Sequence, residues 1–81
     1  MKVRVQFFSH LKDAVGGSES SADLPEGATV ANLLTVLYGQ HPKLREWDGS
    51  ILVGAGVEFV PRDYLISEGD EIAIMPPVQG G

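Results

Sequence analysis

The residues best suited to chemistry lie at the carboxyl end. Pro76-Pro77-Val78-Gln79-Gly80-Gly81 follows the apolar stretch Ile72-Ala73-Ile74-Met75. Proline cannot donate to a sheet ladder and holds φ near about −65°, so Pro76 and Pro77 end a strand and favour an extended path. Extended, the segment from Pro76 to Gly81 would reach roughly 20 Å. Gly80 and Gly81 have no side chains. They are the slimmest peptide that can thread a narrow channel, and they leave a terminal carboxylate unhindered on both sides. Glycine is costly to order. Gly-Gly alone is also what a frayed terminus looks like. An acidic turn, a strand, Pro-Pro, an apolar residue and Gly-Gly in register form a much more specific pattern.

Elsewhere the chemical inventory is thin. There is no cysteine, which excludes disulfides, Cys-based metal sites and a thiol nucleophile. His10 and His41 are the only histidines. Asp13 follows His10 by three residues, but one such pair makes neither a metal site nor a triad. Gly54-Ala55-Gly56 begins like a dinucleotide fingerprint, yet Phe59 occupies its third glycine position and no helix pattern follows; a hairpin turn is the better reading. No phosphate-binding loop occurs. Glu68, Asp70 and Glu71 read as a polar turn rather than a general acid/base pair. The residues inside the fold offer no catalytic constellation.

The elements that must position the tail follow from periodicity. Residues 2–8 alternate, with Val3, Val5 and Phe7 on one face and Phe8 as a large aromatic among the polar residues of the other. Ser9 is a candidate cap for a short helix through Ala14, ended by Gly16-Gly17. Residues 18–24 read weakly as a second strand, and Pro25-Glu26-Gly27 as a turn. Thr29 is a candidate N-cap for a helix over 29–39, whose apolar stripe is Val30, Leu33, Leu34, Leu37 and Tyr38. Gly39 and His41-Pro42 stop it. Residues 43–50 read as a loop with Trp47 folded back onto the core. Residues 51–54 are a strand, Ala55-Gly56 a turn, and 57–60 a further strand. After a linking segment, Glu71–Met75 is the last strand, with Ile72 and Ile74 facing the core. The order β-β-α-β-β-β suggests an α+β roll of the β-grasp kind: one mixed sheet packed on one main helix, with the first and last strands parallel in its middle. Residues 1–75 form the folded unit and 76–81 the tail.

The chain has 81 residues, enough for one domain that buries roughly 60% of its unfolded surface. It has little room for an internal cleft. A net charge of −5 argues against a nucleic-acid partner, which needs a basic patch. Five acids and one base lie from Glu58 onward, so the C-terminal third carries most of that charge. It is either a solvated face or a docking field for a basic partner. No signal peptide or membrane-spanning stretch is visible, and the expected location is the cytoplasm.

The segment from Gly69 to Gly81 resembles the C-terminus of the molybdopterin synthase small subunit, the sulfur carrier of the MoaD/ThiS group of ubiquitin-like proteins. Val3–Ser9, followed by Leu11-Lys12-Asp13-Ala14-Val15-Gly16, is similar to that subunit's first strand and following turn of helix. Phe7-Phe8 together with Pro76-Pro77 points to this subunit rather than to its thiazole-pathway cousins. One departure is Ala55-Gly56, where the family often has Val-Asn, a difference of turn chemistry. The resemblance implies a cycle. A ubiquitin-activating-like adenylyltransferase, holding ATP and Mg²⁺, adenylates the Gly81 carboxylate. Sulfur donor proteins then convert it to a thiocarboxylate. The tail next enters the synthase large subunit, where its sulfur builds the dithiolene of molybdopterin from cyclic pyranopterin monophosphate. The assembly would be a heterotetramer, and this chain would bind no cofactor itself. Phe8, Phe59, Met75, Pro76, Pro77 and Val78 are the expected partner contacts, with Phe8 and Met75 side by side on the outer sheet face. Alternatives are sulfur donation to thiazole or tRNA, a protein modifier conjugated through Gly81, and a β-grasp adaptor without covalent chemistry.

Overall fold

The computed structural model describes residues 1–77. Val78, Gln79, Gly80 and Gly81 lie outside the described residues. Five strands form one sheet: β1 (Lys2–Phe7), β2 (Glu19–Asp23), β3 (Leu52–Ala55), β4 (Glu58–Phe59) and β5 (Glu71–Met75). Their order is β2-β1-β5-β3-β4. The first and last strands run parallel in the middle, with Val5 opposite Ile72 and Phe7 opposite Ile74, and all other pairings are antiparallel. This is the expected β-grasp roll.

Two helices, α1 (Leu11–Val15) and α2 (Val30–Gln40), and a 3₁₀ segment (Pro42–Ser50) complete it. The core lies between α2 and one sheet face. Val3, Val5, Phe7, Val53, Ile72 and Ile74 meet Val30, Leu33, Leu34 and Leu37 there, all buried, with Leu11 and Leu44 closing the ends. The period-two and 3.6-residue patterns thus converge on one buried layer. Thr29 caps α2 as expected: its side chain accepts from the Asn32 N–H at 3.2 Å, and Asn32 Oδ1 accepts from the Thr29 N–H at 2.9 Å.

Local readings shift at four places. Ser9 does not cap α1; it takes φ +54° at the corner leaving β1, and His10 stands at the N-cap without a side-chain bond. Helix α2 continues through Gly39 to Gln40. The segment read as a loop is a 3₁₀ helix started by Pro42. Trp47 is 39% exposed and lies against His10 with ring centroids 4.5 Å apart, while Leu44 takes the core position. The hairpin turn falls on Gly56 and Val57, since Gly56 has the positive φ of +65° and Ala55 stays in β3. No helix among the described residues is long and apolar enough to cross a membrane.

Candidate functional site

Strand β5 is central, so the chain leaves the sheet through its middle rather than along an edge. The outward-facing residues at that exit are set by register. Met75 lies opposite Leu52, and Gly54 lies opposite both Ala73 and Phe59. Phe8 follows Phe7 off the end of β1, and its N–H donates to the Ile74 carbonyl at 3.1 Å. Phe8 and Met75 therefore stand one residue beyond the Phe7–Ile74 pair, on neighbouring strands. Phe8 is 42% exposed and Phe59 64% exposed, while Met75, Pro76 and Pro77 are half-buried. Of the sequence-derived contacts among the described residues, Phe8, Met75, Pro76 and Pro77 stand at the exit end of the sheet, and Phe59, level with Ala73, lines one depression with Met75. Val78, Gly80 and Gly81 fall outside the described residues.

Two further residues join this end that sequence reasoning did not place in the site. Leu52 is half-buried beside Met75. Val57, fully exposed at the hairpin tip, stands toward the other end, where the Gly56 N–H donates to the Glu71 carbonyl at 3.0 Å. Gly54 leaves a shallow notch of about 110 Å³, lined in part by Phe59 and Met75. A Cβ at Gly54 would stand 3.3 Å from Met75 Cε, so the glycine gives the Met75 side chain room to lie across β3. The available signal was alternation in Ile51-Leu52-Val53-Gly54: Ile51 and Val53 face the core, and Leu52 and Gly54 the opposite side, where Met75 covers Gly54. The rest of this face is charged, with Lys2 and Arg4 on β1, Glu19 and Asp23 on β2, and Glu71 on β5. An exposed apolar cluster joined to a strand exit fits a protein–protein contact.

Several other polar groups hold the fold together. Asp48 Oδ1 accepts from the Tyr38 hydroxyl at 2.6 Å and from Arg62 Nη1 at 2.8 Å, tying α2, the 3₁₀ segment and the 61–64 linker together. Burial first, and then the Asp48 carboxylate, push the Tyr38 hydroxyl above its ordinary range. The Tyr38 and Arg62 hydrogen bonds hold Asp48 below the usual carboxylate value, and Asp48 in turn raises Arg62. An open depression of about 580 Å³ beside this knot is lined by Thr35, Tyr38, Gly39, Arg45 and Asp48. Its carboxylate is already bonded, and its lining offers no nucleophile with a base. Asp70 accepts from the Ser67 N–H at 2.8 Å and from the Tyr64 hydroxyl at 3.1 Å, so this acid is part of a closed turn, as read. That bond raises the Tyr64 hydroxyl. Among the described residues no group of three His, Asp or Glu side chains is placed to hold a metal ion.

The ThiS family model matches residues 5–81. The chain belongs to the ThiS family. Similarity to individual ThiS-type carriers runs over the whole length. The molybdopterin synthase sulfur carrier subunit of Chlamydomonas reinhardtii is 31% identical, with 100% of each chain covered. That of Escherichia coli (strain K12) is 34% identical, covering 98% of this chain and 99% of the other. Among solved structures, SAMP1 of Haloferax volcanii, a small archaeal modifier protein, superposes with a TM-score of 0.88 at 30% identity, with both chains fully covered.

Proposed function

We propose that this chain is the sulfur carrier subunit of a molybdopterin synthase, with Gly81 as the sulfur-bearing residue. The observation that carries the reading is whole-length similarity to subunits of that name, in a chain whose described residues hold no nucleophile–base arrangement of their own. A ubiquitin-activating-like adenylyltransferase, with its own ATP and Mg²⁺, converts the Gly81 carboxylate to an acyl-adenylate and releases pyrophosphate. Sulfur from a donor protein displaces AMP and leaves a thiocarboxylate. Gly80 and Gly81 enter the large subunit's active site, where the sulfur attacks cyclic pyranopterin monophosphate, water cleaves the resulting Gly81 thioester to return the carboxylate, and a second round completes the dithiolene. Acid/base groups come from the large subunit. Phe8, Phe59, Met75, Pro76, Pro77 and Val78 grip the partners, and Leu52 extends that contact. Burying such a cluster removes apolar surface from water, at roughly 25 cal/mol per Å². Two small and two large subunits assemble, in the cytoplasm.

Intact mass of the protein purified from cells containing sulfur-transfer enzymes tests this. A fraction with one oxygen replaced by sulfur is expected, and mixing that fraction with the large subunit and the pyranopterin precursor should yield the dithiolene. The likeness to SAMP1 favours one competing reading, a modifier joined through Gly81 to lysines. Lysine-linked conjugates without any thiocarboxylate would establish that reading and refute the first.

A further inference from the structure

Among the described residues, strand β2 ends the sheet and pairs only with β1. Its hydrogen bonds can be assigned residue by residue. Met1 and Leu24 exchange both backbone bonds, at 2.8 and 2.6 Å, and the Phe7 N–H reaches Ser18 O at 2.9 Å. Antiparallel pairing alternates, so Val3–Ala22 and Val5–Ser20 are the other bonded pairs. The N–H and C=O groups of Glu19, Ser21 and Asp23 therefore point away from β1, along an open edge.

Such an edge is usually blunted by proline, lysine, a bulge or shortness. The opposite edge is: β4 has two residues and Pro61 follows closely. Strand β2 is five residues long, unbulged, and contains neither proline nor lysine. Its protection acts against its own kind. Two copies pairing antiparallel about Ser21 would set Glu19 opposite Asp23 twice, and like charges directly opposite each other are destabilising. Across the sheet the sign alternates, with Lys2 and Arg4 on β1 and Asp23 and Glu19 on β2. Glu19 lies 3.5 Å from Arg4, both exposed. A strand added beyond β2 continues that alternation only if it is basic.

We propose that the open edge of β2 is a second docking site, for an extended protein segment carrying Lys or Arg at two positions four residues apart. The segment pairs antiparallel with Glu19–Asp23, its main chain bonds Glu19, Ser21 and Asp23, and its two bases face Asp23 and Glu19. Strand β1 separates this edge from β5, so the carrier is held there while its tail is engaged elsewhere. The site does not depend on which acceptor the tail serves.

The test uses the full chain and a blocked peptide, Lys-Val-Thr-Val-Lys, with Glu-Val-Thr-Val-Glu as control, followed by backbone NMR and amide exchange. The lysine peptide should shift and protect the Glu19, Ser21 and Asp23 amides saturably, and the control should bind about tenfold more weakly. Ser21→Pro removes an N–H that the fold itself does not use, and should abolish binding while Ser21→Ala retains it. If the proline variant misfolds, Glu19→Lys with Asp23→Lys serves instead and should reverse the peptide preference. Phe8→Lys should leave peptide binding unchanged. Equal binding of both peptides, shifts centred on Phe8 and Met75, no saturable shift, or pairing of the chain with itself through β2 would each overturn the proposal.

Discussion

Phe7 and Phe8 are adjacent in the chain and opposite in fate, which makes them a paired test. Phe7 is 1% exposed at the centre of the core, and Phe8 is 42% exposed at the tail's exit. Truncating a buried phenylalanine to alanine removes its transfer free energy and leaves a cavity, about 3–5 kcal/mol in all. Phe8 has somewhat more than half of its surface covered and lies at a surface that can relax. Burying a whole phenylalanine side chain is worth roughly 1.5–3 kcal/mol, so Phe8→Ala should cost about 1–2 kcal/mol. A chain of 81 residues has a total stability of about 4–12 kcal/mol. Phe7→Ala therefore removes about a quarter of it or more, and Phe8→Ala less than Phe7→Ala. Urea unfolding followed by circular dichroism reads both, with Trp47 fluorescence as a second probe. Midpoints should separate by roughly 4–8 °C per kcal/mol in thermal melts. Binding should reverse the order: Phe8→Lys weakens the large-subunit complex while the free chain stays folded. Equal destabilisation by the two alanine variants, or unchanged binding by Phe8→Lys, would refute the assignment of Phe8 to a docking surface.

Two other outcomes follow from the site and the fold. Adding one bulky residue after Gly81 should abolish ATP-dependent adenylation with no change in Tm, measured by pyrophosphate release; intact adenylation would contradict a role for the slim free end. The Tyr38–Asp48–Arg62 knot gives stability a defined pH dependence. Asp48 is held below its ordinary 3.8, so its contribution is complete above that value and is lost as pH falls below it through the folded pKa. Tyr38 is raised above its ordinary 10, so its contribution is complete below pH 10 and is lost as pH rises further. Asp48→Asn should therefore differ from the native chain at neutral pH and converge with it in acid, and Tyr38→Phe should lose the alkaline component. Parallel stability curves across the whole pH range would refute the knot.

Much of the fold was legible because its signals are local. Alternation in Val3-Arg4-Val5, the Leu33-Leu34-Leu37 stripe and the Thr29 cap each depend on residues within a turn or two of one another. Where local rules competed, they were less decisive. Ser9 is a good helix cap by type, but the corner leaving β1 puts it at positive φ, and His10 takes the cap position. Trp47 is apolar enough for the core, yet Leu44 on the same 3₁₀ turn fills that place and leaves Trp47 beside His10.

The sequence by itself determined where the last strand ends and that two residues without side chains follow it. Pro76 and Pro77 cannot donate to a sheet ladder, and Gly80 and Gly81 carry no side chain in any context. It also determined which faces of β1, β5 and α2 are buried, because side-chain period follows from backbone geometry alone. Tertiary structure decided what surrounds the exit. Leu52, Gly54 and Phe59 join Met75 only through the pairing of β3 with β5 and of β3 with β4, and Phe8, 67 positions away in the chain, joins it through the pairing of β1 with β5. It likewise decided that β2 ends the sheet with Glu19, Ser21 and Asp23 turned outward, since strand order is a property of the packed sheet and is written in no single segment.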